Sequence, residues 1–135
     1  MSAGGEQAVV QVPVSIHSDA RGVVFEPFDT RMLAAMQNCH VVHNHPGCVR
    51  GNHRHLLAHE YLVVSGPALV RFGEPDRWQD VSLAEGELTR FEFPAGVAHA
   101  VLNTSEKVQL LVAGSTLSHD PDNPDTEFVE LIAPR

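Results

Sequence analysis

Cysteine is scarce in this chain: Cys39 and Cys48 are the only two. Two thiols cannot make a disulfide framework, so free cysteines and a cytoplasmic location are expected. Long apolar runs are missing as well. None approaches the ~20 residues that a membrane-spanning helix needs, so no membrane partner is expected. The opening MSAGGEQAVVQVP has neither a basic n-region nor a long apolar segment, and no secretory signal is expected. Positive charge is in short supply: nine Lys and Arg stand against 17 Asp and Glu, for a net charge of −8. Nucleic acids and anionic membranes require a basic surface, so both are excluded as partners. There is no long repeat and no linker. Residues 9–135 are expected to form one domain behind a disordered tail at 1–8.

Histidine is plentiful. There are nine, five of them between positions 40 and 55. All but one of the basic residues are Arg, a side chain suited to bidentate contact with phosphate. Short apolar or alternating segments recur between turn signals: 9–16, 23–28, 39–45, 49–55, 60–65, 68–72, 88–93, 97–103, 108–114 and 127–132. Residues 73–80, GEPDRWQD, read as a polar loop. Asp29 is placed to cap one short helix through Met36, in which Met36 shares a face with Met32 or Leu33. This pattern predicts an all-β sandwich or barrel with at most one short helix.

Two stretches carry the chemistry. In GCVRGNHRHLLAHEYLVVSG (47–66), His53 and His55 are two apart on a strand. They therefore project from one face about 6–7 Å apart, close enough to converge on one ion at ~2.0–2.2 Å. Residues 56–59 reverse the chain, and Glu60 opens the next strand facing back to the pair, with Leu62 and Val64 on its own side. The second stretch, GELTRFEFPAGVAHAVLN (86–103), contributes His99, with Val101 and Asn103 on the same face. Three imidazoles and a carboxylate suit a mid-series divalent ion such as zinc, iron, manganese or nickel. Cys39, His43, His45 and Cys48 offer a rival set, but their spacing fits no finger-like pattern. Asp120, Asp122 and Asp125 read as an ordinary turn, since two prolines and no central glycine argue against a calcium loop.

These two stretches resemble the paired motifs of the cupin superfamily. The first follows Gly, five residues, His-x-His, four residues, Glu and Gly, with the last gap one residue short. The second matches Pro-x-Gly-x-x-His-x-x-x-Asn. The resemblance implies a jelly-roll β-barrel with His53, His55, Glu60 and His99 as metal ligands. DARG (19–22), PGCVRGNHRH (46–55), EYLVVSGPALVRF (60–72) and DPDNPDTEF (120–128) are further similar to the C-terminal cupin domain of bifunctional capsular-polysaccharide epimerase/reductases. They resemble dTDP-4-keto-6-deoxyhexose 3,5-epimerases and keto-isomerases more distantly. The likeness implies zinc and epimerisation of a 4-keto sugar nucleotide. It assigns a base role to the His of the RGNH element, His53, and diphosphate contacts to Arg21 and Arg50.

The chain departs from these families in two places. Ala58 and His59 stand where the capsular enzymes carry Lys-Thr, so His59 is a second candidate base. Tyr61, the only tyrosine, has parity opposite to Glu60 and should point out of the barrel, unlike the acid tyrosine of the dTDP-sugar enzymes. Asn103 joins Arg21 and Arg50 as an expected substrate contact. The leading expectation is a sugar-nucleotide epimerase or isomerase; an iron-dependent dioxygenase and a non-enzymatic sugar-binding cupin are the alternatives. A homodimer is expected, built through the edge strands at 9–16 and 127–132.

Overall fold

The computed structural model describes residues 8–134. The expected tail therefore lies, apart from Ala8, outside the described residues. In chain order the elements are β1 (Val10–Pro13), β2 (His17–Asp19), β3 (Gly22–Val24), α1 (Thr30–Ala35), β4 (Asn38–Asn44), β5 (Val49–His55), β6 (Glu60–Ser65), β7 (Ala68–Glu74), β8 (Arg77–Leu83), β9 (Leu88–Phe93), β10 (Ala98–Asn103), β11 (Gln109–Ser115) and β12 (Thr126–Phe128). The expected all-β architecture with one short helix is what the chain adopts. Two five-stranded antiparallel sheets, ordered β1-β9-β6-β11-β4 and β12-β5-β10-β7-β8, face each other as a jelly roll, and β2 and β3 form a separate hairpin.

Alternation builds the interior. Along β7, Ala68, Val70 and Phe72 are buried while Leu69, Arg71 and Gly73 are less so, the period of a strand with one face on a core. Leu62, Val64, Val70, Phe91, Phe93, Val101 and Leu111 fill the space between the sheets. Each such side chain, fully buried, stabilises the fold by about 1.5–3 kcal/mol. β6 is buried on both faces. Its other side, Tyr61 and Val63, lies under α1 and packs with Phe28 and Met32. Asp29 caps that helix, accepting a hydrogen bond from the Met32 amide at 2.9 Å. Met32 is the helix residue that is buried, while Leu33 is 59% exposed. A third apolar cluster, Ala98, Ala100 and Leu102 with Val129, Leu131 and Ile132, closes the outside of the second sheet.

Four expectations are corrected. Residues 73–80 form a tight hairpin between β7 and β8, with Glu74 paired to Arg77. Arg71 holds the two strands together, donating to Asp80 at 2.8 and 3.0 Å and lying 4.4 Å over the Trp78 ring. Most of β8 is exposed, so it has no apolar alternation to betray it. The segments 9–16, 23–28 and 127–132 contribute only the short strands β1, β3 and β12. Val129–Ile132 leave the sheet because Asn52 takes over their backbone: its Oδ1 accepts from the Leu131 and Ile132 amides at 2.9 and 3.1 Å, and its Nδ2 donates to the Ile132 carbonyl at 2.9 Å.

Candidate metal centre

His53 and His55 sit at the end of β5, Glu60 opens β6, and His99 lies on β10 directly opposite His53. Glu60 pairs with Phe93 across β6 and β9. The Phe93 ring is stacked on His99 at 4.1 Å with 2° between the planes, which holds the imidazole flat against the barrel wall. One donor atom from each of His53, His55, Glu60 and His99 lies within 4.8 Å of the other three, the one such cluster among the described residues. That spread is close to twice the ~2.0–2.2 Å bond of an ion held between them.

The polar atoms inside the cluster show what it is suited to hold. His99 Nδ1 donates to the Val97 carbonyl at 3.1 Å, so in a neutral ring Nε2 carries a lone pair and points it at Glu60 Oε2, 3.2 Å away. His55 Nε2 stands 2.6 Å from Glu60 Oε1. His53 Nε2 is buried without any hydrogen-bond partner and is 3.7 Å from the same oxygen. Lone pairs that converge on a buried carboxylate require cations or protons between them, and this donor set fits a divalent ion. Without a cation, protons take that place: burial by itself would push the Glu60 carboxyl up, but the charge of a protonated His99 and hydrogen bonds from protonated imidazoles outweigh it, holding the group well below its ordinary value. Burial pulls His55 down, and the facing Glu60 and Asp125 carboxylates more than reverse that, raising it.

Asp125 supports the cluster from behind, a role its place in a Pro-rich loop did not announce. Its carboxylate accepts from the Leu57 and Ala58 amides at 2.9 Å each, and its carbonyl accepts from Leu56 at 2.8 Å. The loop that joins two expected ligands, His55 and Glu60, is thus held by Asp125 at residues 56–58 and by Thr116 at His59. The same carboxylate faces His55 Nδ1 at 3.6 Å. A cavity of about 320 Å³ opens beside the cluster, bounded by His55, Glu60 and Asp125 together with Asn38, His40 and His119. His40 and His119 were not singled out by spacing. Only tertiary pairing brings β4 and the 117–125 loop to the cluster.

The comparisons with known proteins fall into place on this geometry. The family model of the polysaccharide biosynthesis C-terminal domain matches residues 17–127. The chain belongs to this family. No curated protein matches the sequence. Among solved structures, the capsular polysaccharide assembling protein CapF from Staphylococcus aureus superposes with a TM-score of 0.64 at 25% identity, over 88% of this chain and 33% of that one. The chain therefore spans about a third of the length of CapF. ChmJ, a 3'-monoepimerase from Streptomyces bikiniensis seen in complex with dTDP-quinovose, gives a TM-score of 0.71 at 23% identity over 96% and 73% of the two chains. QdtA, a sugar 3,4-ketoisomerase from Thermoanaerobacterium thermosaccharolyticum in complex with TDP, gives 0.64 at 17% identity over 88% and 86%. At these identities ChmJ and QdtA establish the cupin-type fold.

Within this member of the polysaccharide biosynthesis C-terminal domain family, the other expected site residues part company. His59 is on the far side of the sheet from Glu60. Its ring lies 5.1 Å from Tyr61, and its Nε2 is 3.9 Å from Glu92, under α1 rather than in the barrel. The strand parity that aims Glu60 inward aims its neighbour outward. Tyr61 faces outward as expected. Asn103 is buried and spent: Nδ2 donates to the Asn44 and Lys107 carbonyls at 2.9 and 2.7 Å, and Oδ1 accepts from the amide and hydroxyl of Ser105. It staples a turn four residues from His99, about 13 Å along the strand. Arg21 is on the exposed β2–β3 hairpin, its guanidinium paired with Asp19 and its side chain 91% exposed. Arg50 does share the face of His53. A bulge at Asn52, where φ is 55°, shifts the register between His53–His99 and Gly51–Ala100, so that Arg50 pairs with inward-facing Val101.

Proposed function

We propose that this chain is a metal-dependent epimerase or isomerase acting next to the ketone of a 4-keto sugar nucleotide in polysaccharide biosynthesis. The observation that carries the reading is the convergence of three imidazoles and one carboxylate at the edge of a cavity of about 320 Å³. That volume lies in the range of small-ligand sites and accepts a hexose ring. The activities of ChmJ and QdtA, epimerisation and keto-isomerisation, begin with the same elementary step: removal of a proton from a carbon beside a sugar carbonyl. Membership of the polysaccharide biosynthesis family points to the same substrate class.

His53, His55, Glu60 and His99 would hold the ion, zinc first among the candidates, with iron, manganese or nickel also matching the donors. A divalent ion there supplies a Lewis acid for the ketone oxygen. The chain's own residues do the rest. The Val97 carbonyl and the Phe93 ring fix the tautomer and plane of His99. Asp125 sets the loop between His55 and Glu60. Arg50, exposed on the side of the sheet shared with His53 and bonded among the described residues to the His43 carbonyl at 3.5 Å, is a cation available to a diphosphate. The edge strands β1 and β12 are open to pairing with a second copy, and a homodimer is part of this proposal.

The test is solvent deuterium wash-in. Purified protein, its metal content determined, is incubated in D2O with UDP- and dTDP-4-keto-6-deoxyhexoses, and exchange at carbons beside the ketone is followed by NMR. Exchange that stops on chelation and returns with metal supports the reading. Bound iron with oxygen consumption and no exchange would replace it with the dioxygenase. Metal with neither activity would leave a sugar-binding cupin.

A further inference from the structure

We infer that His40 is the catalytic base of this site, an inference that rests on the epimerase or isomerase reading above. The reaction needs a side chain that reaches the substrate carbon, carries a free lone pair and is not committed to the ion. The three imidazoles of the cluster are turned onto Glu60. His59 faces the other side of the sheet. Among the remaining groups on the cavity wall, the Asp125 carboxylate is occupied by two backbone amides, and Asp120 Oδ1 accepts from the Asp122 amide at 3.0 Å. His119 rides on the 117–125 loop with no partner among the described residues to set its tautomer.

His40 meets each requirement. It sits in β4 opposite Ala113, whose side chain belongs to the interior, so strand parity aims the imidazole to the inner side where it lines the cavity with His55 and Glu60. Its Nδ1 is 2.9 Å from Asn38 Oδ1. A carboxamide oxygen can only accept, so Nδ1 carries the proton and the lone pair resides on Nε2. Asn38 is two residues away on the same face of the same strand and lines the same cavity, placed to orient the ring of His40 at the solvent-open side of the site. This is the arrangement of a histidine oriented through one nitrogen so that the other can accept a proton.

The step balances without a further reagent. Nε2 takes the proton from the sugar carbon beside the ketone. The C–H electron pair becomes a C=C bond, and the carbonyl pair moves onto oxygen to give the enolate. Water in the open cavity returns a proton to the carbon as the pair moves back from the oxygen. The hydroxide left behind is neutralised by the proton on His40.

His40→Gln tests the assignment, with metal content and binding of the same sugar nucleotide measured alongside deuterium wash-in. The expected result is exchange slowed by about 10²–10⁴-fold with metal and ligand binding kept. A variant that exchanges at a rate close to wild type overturns the role of His40 and leaves the epimerase reading standing. Wild type that shows no exchange with any 4-keto sugar nucleotide removes that reading, and this inference with it. A variant that loses its metal together with exchange assigns His40 to the structure of the centre and overturns a proton-transfer role. A second measurement needs no variant: long-range proton–nitrogen NMR of the wild type should show His40 protonated at Nδ1, and protonation at Nε2 instead overturns the assignment.

Discussion

Gly51 and His99 meet backbone to backbone. A Cβ built on Gly51 would stand 2.7 Å from the His99 carbonyl oxygen, and Gly51 holds a φ of 87° that side chains rarely adopt. The close approach belongs to the bulge that turns both Arg50 and His53 inward. Gly51→Ala is therefore expected to destabilise the fold by more than about 1 kcal/mol and to weaken metal binding, because His53 and His99 are partners in the same ladder. Urea titration and chelator competition read the two effects separately. A variant with unchanged stability would show that the strands yield without cost.

Asp125→Asn keeps the backbone bond from Leu56 and one of the two side-chain acceptors, but sets an NH2 donor against the Leu57 or Ala58 amide and removes the negative charge facing His55. Carboxylates behind a ligating imidazole raise its basicity and fix its orientation. Metal affinity should fall by about 10–100-fold, measured by competition with a chromophoric chelator, and the amide left without an acceptor should lower the thermal midpoint of the metal-free protein, which is read separately. Unchanged affinity would confine Asp125 to closing the loop.

His59→Gln should leave metal content and deuterium exchange unchanged, since the ring is on the outer face. Its effect is on acid stability. Burial holds His59 below its ordinary value of 6.5, with Glu92 opposing and Arg31 assisting. The unfolded chain then binds the proton more readily than the folded one. Stability contributed by the neutral ring is present above the unfolded value and is lost as pH falls below it. Wild type should lose more stability than the variant between about pH 7.5 and 5.5, and thermal melts across that interval measure the difference. Parallel curves would show that the folded and unfolded states bind the His59 proton alike.

Asn103→Ala removes a buried staple between β10, the following turn and β4. Leaving the Asn44 carbonyl and the Ser105 amide without their partner should cost about 1–3 kcal/mol, seen as a lower urea midpoint. Metal stoichiometry should stay the same. Loss of metal in a folded variant would mean that the turn and the cluster are coupled through β10.

The chain's own order of residues determined the class of fold and the four side chains that converge at the candidate centre. Alternating apolar positions between turn residues can satisfy backbone hydrogen bonds and bury one face only as sheet. His-x-His with a glutamate one reversal later carries its parity in its spacing, whatever the rest of the chain does. The Asp29 cap and the outward Tyr61 were legible for the same local reason.

What the spacing could not decide was everything that depends on two distant segments meeting. Arg50 faces inward only because Asn52 bulges, and that bulge is held by amides from residues 131 and 132. Asp125 reads as a turn residue, and nothing in the spacing singles out His40, until the loop and β4 close around the cluster. Asn103 shares the face of His99, yet its hydrogen bonds are consumed by a turn that parity does not reveal. The stretch 73–80 carries no apolar signal, because most of β8 is exposed and is held to β7 by Arg71, Asp80 and Trp78. Period and spacing are properties of one strand; burial, hydrogen-bond partners and the direction of a side chain beyond a bulge are properties of pairs of strands, and only the folded chain has them.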